Sequence, residues 1–154
     1  MFALIIGINQ YQRKEDFSSL RGAVPDGKEF RHYLTTRLRV PEDQISTLFD
    51  EEATRSAIIK AFQDLNEDPR INRGDPIFIF YAGHGGQKRP HPDWNEPNEK
   101  IEVIVPYDCT SDGSVEPIPD RTIGLLIDEI ARKKGDNIVS GFGRPLNFVL
   151  IQIT

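Results

Sequence analysis

A histidine set among glycines closes one of the most apolar stretches of this chain. Tyr81-Ala82-Gly83-His84-Gly85-Gly86 follows Pro76-Ile77-Phe78-Ile79-Phe80. Imidazole titrates near neutrality, so His84 can take up and return a proton at physiological pH. The flanking glycines let the backbone turn sharply and let a second group approach closely. At the carboxyl end of a buried strand in an open α/β sheet, such a residue stands where sites are built. Chemically it reads as a general base or as a neighbour of an oxyanion site. The plainer alternative is a histidine that only hydrogen-bonds its own loop. Gly83, Gly85 and Gly86 add nothing to a core, which favours chemistry. Neither G-x-x-x-x-G-K-[ST] nor G-x-G-x-x-G occurs, which argues against a nucleotide-phosphate loop. A base of this kind needs a nucleophile. The one thiol is Cys109, in Pro106-Tyr107-Asp108-Cys109-Thr110. Thiolates form in cationic or dipolar surroundings, whereas Asp108 and Asp112 are acidic. Cys109 is therefore not expected to be catalytic.

The elements around His84 follow from hydrophobic period. Residues 2–8 are continuously apolar, as in a strand covered on both faces. Residues 9–19 are polar and read as a loop. Pro25-Asp26 opens a predicted helix with Phe30, Leu34 and Leu38 on one face, and Asp26 suits the positive end of its dipole. Residues 44–49 are a predicted second strand, ended by Asp50-Glu51-Glu52, which reads as a solvated loop. Thr54 caps a second helix that turns Ile58, Ala61, Phe62 and Leu65 inward. Gly74-Asp75-Pro76 turns into a third strand over residues 77–81. A long polar loop spans residues 87–100 and carries three prolines, His91 and Trp94, the last two read as loop-packing or solvent residues. Residues 101–105 alternate as a short or edge strand. Asp120 caps a third helix with Ile123, Leu126, Ile127 and Ile130 in one stripe. Arg132-Lys133-Lys134 lie in its last turn and Gly135 stops it. The order predicts an α/β domain with a largely parallel sheet and right-handed crossovers.

The chain has 154 residues, 38% of them hydrophobic and 28% charged, with a net charge of −5. That suits one soluble domain and argues against nucleic acid or an anionic membrane as partner. No apolar run approaches the roughly 20 residues that span a bilayer. Residues 2–8 have neither a basic segment before them nor a small-residue cleavage site after them, so they read as a strand rather than a signal peptide. A single cysteine forms no internal disulfide, and the cytosol or nucleus is the expected compartment.

Four segments together resemble one family. They are FALIIGIN at residues 2–9, LRGAVPD at 20–26, FIFYAGHGG at 78–86 and IPDRTI at 118–123. They are similar to the caspase-like cysteine peptidases, above all the metacaspases. The resemblance covers about residues 1–138 and implies the N-terminal, large-subunit part of a caspase-haemoglobinase fold, a three-layer α/β/α domain. It implies a Cys–His dyad in which His84 is the base. Gly85 would give an oxyanion-hole N–H, and peptides or proteins would be the substrate. It places Asp26 at an acidic S1 position that would favour Arg or Lys before the scissile bond; as a bare residue Asp26 is equally a helix-start residue. It implies calcium near the third helix, with Asp120 at one acidic position, although the family pairs two acids there and Arg121 takes the second place.

The departure falls at the C-terminal end. In the family, a strand after the third helix leads into a D-x-C-H-S-G-type segment whose cysteine is the nucleophile. Gly135-Asp136-Asn137-Ile138 still fits the entry to that strand. Val139-Ser140-Gly141-Phe142-Gly143-Arg144-Pro145 does not, and no Cys-His-Ser-Gly follows. Residues 146–153 are β-prone and could replace the missing strand on composition. The expectation is a family domain over residues 1–138, truncated before its nucleophile. Residues 139–154 would be a non-family tail, encoded by a retained intron or a gene-model error. Such a chain would be an inactive peptidase. The rival readings are a non-catalytic pseudo-peptidase that binds a partner and an unstable product that is degraded. A flavodoxin-like regulator leaves YAGHGG unexplained.

Overall fold

A computed structural model describes residues 1–90, 93–94, 100–144 and 147–152. The strands are β1 (Phe2–Gly7), β2 (Ile45–Phe49), β3 (Ile77–Ala82), β4 (Gly85–Lys88), β5 (Ile101–Ile104), β6 (Ile118–Pro119), β7 (Ile138–Arg144) and β8 (Asn147–Gln152); the helices are α1 (Ala23–Thr36), α2 (Arg55–Glu67) and α3 (Asp120–Lys134). The main sheet has the order β2-β1-β3-β7-β8, with β1, β2, β3 and β7 parallel and β8 antiparallel at one end. The small sheet, β4-β5-β6, is antiparallel.

The unbroken apolarity of β1 and β3 comes from burial on both faces. Ala3, Ile5, Phe80 and Ala82 join a core with Ala23, Leu34 and Val40 on the α1 side. Leu4, Ile6, Ile77, Ile79 and Tyr81 point the other way. They pack with Ile58 and Phe62 of α2 and Ile123, Ile127 and Ile130 of α3. The result is the three-layer α/β/α domain expected of a caspase-like fold. Thr54 caps α2 as expected, accepting the Ala57 N–H at 3.2 Å. Gly135 ends α3 at φ +96°, where a Cβ would also lie 3.0 Å from the Gly74 nitrogen.

Several expectations need adjustment. α1 starts two residues before Pro25, with Gly22 as N-cap and Asp26 one turn in. The helix ends at Thr36, so Leu38 falls outside it and is 43% exposed. Asp120 is not the cap of α3 but its first residue; Pro119 holds the N-cap position, and the Asp120 carboxylate accepts the Arg121 N–H at 2.6 Å. Gln44 belongs to a 3-10 turn rather than to β2. The polar loop is shorter than expected because Gln87 and Lys88 belong to β4, and β5 is central, not an edge, in its sheet. His91 lies outside the described residues. β7 runs unbroken across residues 138 and 139, so the segment expected to be a non-family tail continues the strand after α3.

Candidate active site

β2 and β3 lie on opposite sides of β1. From β1 the main sheet continues to β2 on one side, and from β3 it continues to β7 on the other, so the order reverses between β1 and β3, at whose carboxyl ends open α/β sheets build sites. Residues 8–20 leave β1 there, and Gly83-His84 leave β3.

His84 is fixed from several directions. Its backbone N–H donates to the Tyr11 hydroxyl at 2.7 Å. The Tyr81 hydroxyl lies 2.8 Å from the His84 carbonyl and 3.1 Å from that of Val105, sharing one proton between them. A phenol thus holds each polar group of the His84 main chain. The imidazole is flanked by Tyr11, with ring centroids 5.1 Å apart, and by Phe17 at 6.3 Å. His84 Nε2 stands 2.7 Å from the Ser18 carbonyl oxygen. A carbonyl can only accept, so Nε2 carries the proton and, in the neutral ring, Nδ1 keeps its lone pair. Gly83 makes room for this packing: a Cβ there would lie 2.6 Å from the Tyr81 hydroxyl.

Gly85 opens β4 directly after the histidine. The Val105 N–H donates to the His84 carbonyl at 3.0 Å, and Gly85 pairs with Ile104. This register puts Gly85 at a non-hydrogen-bonded position of the antiparallel ladder, so its N–H points away from β5.

The segment over the imidazole is anchored at both ends. Asp50, at φ +46°, accepts the N–H groups of Asn9 and Gln10 at 2.8 and 2.9 Å. Asn9 in turn accepts the Val24 N–H at the start of α1, at 3.2 Å. Asp16 accepts the hydroxyl and N–H of Ser111 at 2.7 and 2.9 Å, and these bonds hold its carboxyl below the usual range. Arg13 meets Asp112 at 2.9 Å. Asp50 is therefore more than a solvated loop residue. It fixes the turn that carries Tyr11.

Burial governs two phenols and a thiol near His84. It pushes the Tyr11 hydroxyl up to about 12 and raises Tyr81 well above the ordinary phenol value. It pushes the Cys109 thiol up to about 11, with Asp108 and Asp16 adding to the effect. Cys109 is 2% exposed and packs in the core beside Tyr11 and Tyr81. Burial of this kind disfavours the thiolate. Asp108 is occupied too, accepting the Arg55 N–H at 2.8 Å.

Asp26 and Asp120 each lie in the first turn of a helix. Asp26 is exposed in the first turn of α1. Asp120 bonds to the adjacent Arg121 N–H, and Arg121 lies over the Trp94 ring at 5.5 Å. Among the described residues, no group of three or more His, Cys, Asp or Glu side chains is arranged to hold a metal ion. A carboxylate followed by a guanidinium is a poor donor set for calcium, which takes six to eight oxygens; Asp120 and Arg121 by themselves do not fit the ion. No helix among the described residues is long and apolar enough to cross a membrane.

Tyr11, Ser18, Tyr81 and Asp50 complete the surroundings of His84, and sequence reasoning gave none of them a role. One signal was available. Tyr11 and Phe17 are the only apolar side chains in the polar stretch of residues 9–19, and both turn out to pack on the imidazole.

Comparison with known proteins gives one family. The domain described as "Metacaspase, peptidase C14 domain" matches residues 2–133. Metacaspase-1 of Saccharomyces cerevisiae (strain YJM789) is 34% identical over 131 residues, covering 81% of this chain and 28% of that protein. Metacaspase-1 of Candida glabrata is 35% identical over 127 residues, covering 79% and 30%. The chain thus spans less than a third of the length of these relatives. Among solved structures, protein GSU0716 from Geobacter sulfurreducens is similar in fold, with a TM-score of 0.66 and 20% identity over 90% of this chain and 47% of that one.

Proposed function

The chain belongs to the metacaspase family of caspase-like cysteine peptidases, and on that premise we propose that it carries the base half of a Cys–His dyad and cleaves no peptide by itself. The observation that carries this reading is the Nε2 contact of His84 with the Ser18 carbonyl at 2.7 Å. It leaves Nδ1 to take the proton of a thiol, while the Ser18 oxygen stabilises the imidazolium that forms. The thiolate would then attack the scissile carbonyl. The Gly85 N–H, directed off its ladder, would donate to the oxyanion, and the imidazolium would return its proton to the leaving amine. Asp26, at the start of α1, would favour a basic residue before the scissile bond.

The nucleophile is what these residues do not supply. In the family it follows the strand after the third helix. Here β7 pairs with β3 as far as Ala82↔Gly143, so its carboxyl end approaches the His84 end of β3 with Gly143 and Arg144, and no thiol. The buried Cys109 supports the same conclusion and favours, as the second reading, a non-catalytic module that binds a protein partner. We place it in the cytosol or nucleus on the strength of its lone cysteine.

The test is cleavage of Arg and Lys peptide reporters by the purified chain and by its His84→Ala and Cys109→Ala variants. All three are expected to match buffer. Turnover by the unaltered chain that disappears in Cys109→Ala would overturn the proposal. Thiol labelling gives an independent reading: Cys109 should react slowly in the folded chain and promptly in denaturant.

A further inference from the structure

The family resemblance implies two adjacent acids at the very start of α3, and Arg121 takes the second place. In the structure its guanidinium lies over the indole of Trp94, 5.5 Å from the ring centroid. Asp120 beside it has one carboxylate oxygen turned to the Arg121 N–H at 2.6 Å. A positive side chain and an engaged carboxylate stand where paired carboxylates would offer oxygens to a divalent cation.

The place matters to the fold. β6, only two residues long, runs straight into α3, and its ladder reaches β4 by way of the four-residue β5. A sheet this small gains little from its own ladder. Its first strand begins at the residue after His84. Other contacts fasten the same region: Lys88 pairs with Glu116 at 3.0 Å, and Gln87 donates to Glu102 at 2.6 Å. Trp94 lies beyond β4 in sequence and Arg121 two residues beyond β6, so their contact joins the two outer strands of the sheet from the side.

We propose that Arg121 is a resident cation, fixed in the chain, that does the joining at the start of α3 without a divalent ion, holding Trp94 through the face of its indole. A guanidinium over an indole is the best of the cation–π pairings. The small sheet beside His84 would then be ordered with or without calcium. None of this depends on peptide cleavage.

Trp94 is the only tryptophan of the chain, so its fluorescence reports this contact directly. The purified chain is measured in millimolar calcium, in a chelator, and in magnesium at matched ionic strength. Emission maximum, acrylamide quenching and melting temperature should be the same in all three. Arg121→Met keeps a long apolar stem and removes the charge. It should shift the Trp94 emission to the red and increase acrylamide quenching, while far-ultraviolet circular dichroism stays that of the folded chain. Arg121→Lys, a cation without the planar fork, should fall between the two. A calcium-specific rise in melting temperature of the unaltered chain, reversed by chelator, would overturn the proposal whether or not the variants fold. So would an Arg121→Met protein whose Trp94 emission and quenching equal those of the parent.

Discussion

Tyr11 combines an acceptor and a packing surface in one side chain, and Tyr11→Phe separates them. The ring stays against His84, but the His84 N–H loses its 2.7 Å partner. Leaving a half-buried donor unmet costs about 1–2 kcal/mol. Urea unfolding should show that loss as a lower midpoint with an unchanged slope. The same residue shapes the alkaline limit of stability, together with Cys109. Both are held above their ordinary values, Tyr11 at about 12 rather than 10.0 and Cys109 at about 11 rather than 9.0, chiefly by burial. For each, the folded state favours the protonated, neutral form. The associated stability is therefore fully present below the unfolded value and is lost as pH rises through the folded one. Stability should fall from about pH 9 upward, with Cys109 contributing on the order of 2 kcal/mol of the change. Unfolding midpoints on the two sides of that value should reveal it. Cys109→Ala should remove the first part of the decline and leave the later part, due to Tyr11. At this scale the sequence singles out His84 through the glycines on either side of it. It could not identify Ser18 or Tyr11, because their roles depend on contacts across 66 and 73 residues.

Among the elements, the loop after β1 is the one whose shape decides whether His84 is held, and Asp50 sets that shape from the end of β2. Its carboxylate takes two backbone N–H groups while its own backbone sits at φ +46°. Asparagine tolerates that left-handed conformation and keeps an oxygen acceptor, whereas alanine does neither. Asp50→Asn should therefore stay close to the parent in thermal stability. Asp50→Ala should lose about 2 kcal/mol from two unmet donors and backbone strain combined. Nuclear magnetic resonance of the His84 ring should show the same order, with its shifts moved in Asp50→Ala and retained in Asp50→Asn. The elements that were legible beforehand were those whose pattern reflects burial: β1 and β3 as apolar runs, α2 and α3 as stripes of Ile, Leu and Phe. β4 was not, because Gly-Gly-Gln-Lys has no strand propensity of its own. Pairing with β5 makes it a strand, as expected when cross-strand context outweighs local preference. The start of α1 was missed because Pro25 suits a first turn as readily as a first position.

For the whole molecule the decisive segment is the one after α3. Residues 139–144 contain two glycines and a serine and lie beyond the residues 2–133 that match the family, yet β7 pairs with β3 over six positions, Ile77↔Ile138 to Ala82↔Gly143. β3 thereby becomes an interior strand with partners on both sides. Ile138 also joins the core formed with Ile123, Ile127 and Ile130 of α3. Removing residues 138–154 would leave β3 as an exposed edge of unpaired N–H and C=O groups flanked by apolar side chains, a template for association with other chains. The shortened protein should lose its cooperative melting transition and aggregate, while the chain through residue 154 should melt cooperatively. Retention of the transition after the deletion would mean that β1, β2 and β3 with the helices suffice, and that β7 is an ornament of the sheet. This physical question is separate from the coding one. We propose that residues 139–154 derive from a retained intron or a gene-model error, and sequencing the mature transcript across the codons for Ile138 and Val139 decides it. A spliced message that continues into a Cys-His-Ser-Gly segment would give β3 a different neighbour and His84 its thiol. A message that encodes Val139 to Thr154 would establish a metacaspase-family chain in which a glycine-rich strand occupies the nucleophile's place in the sheet.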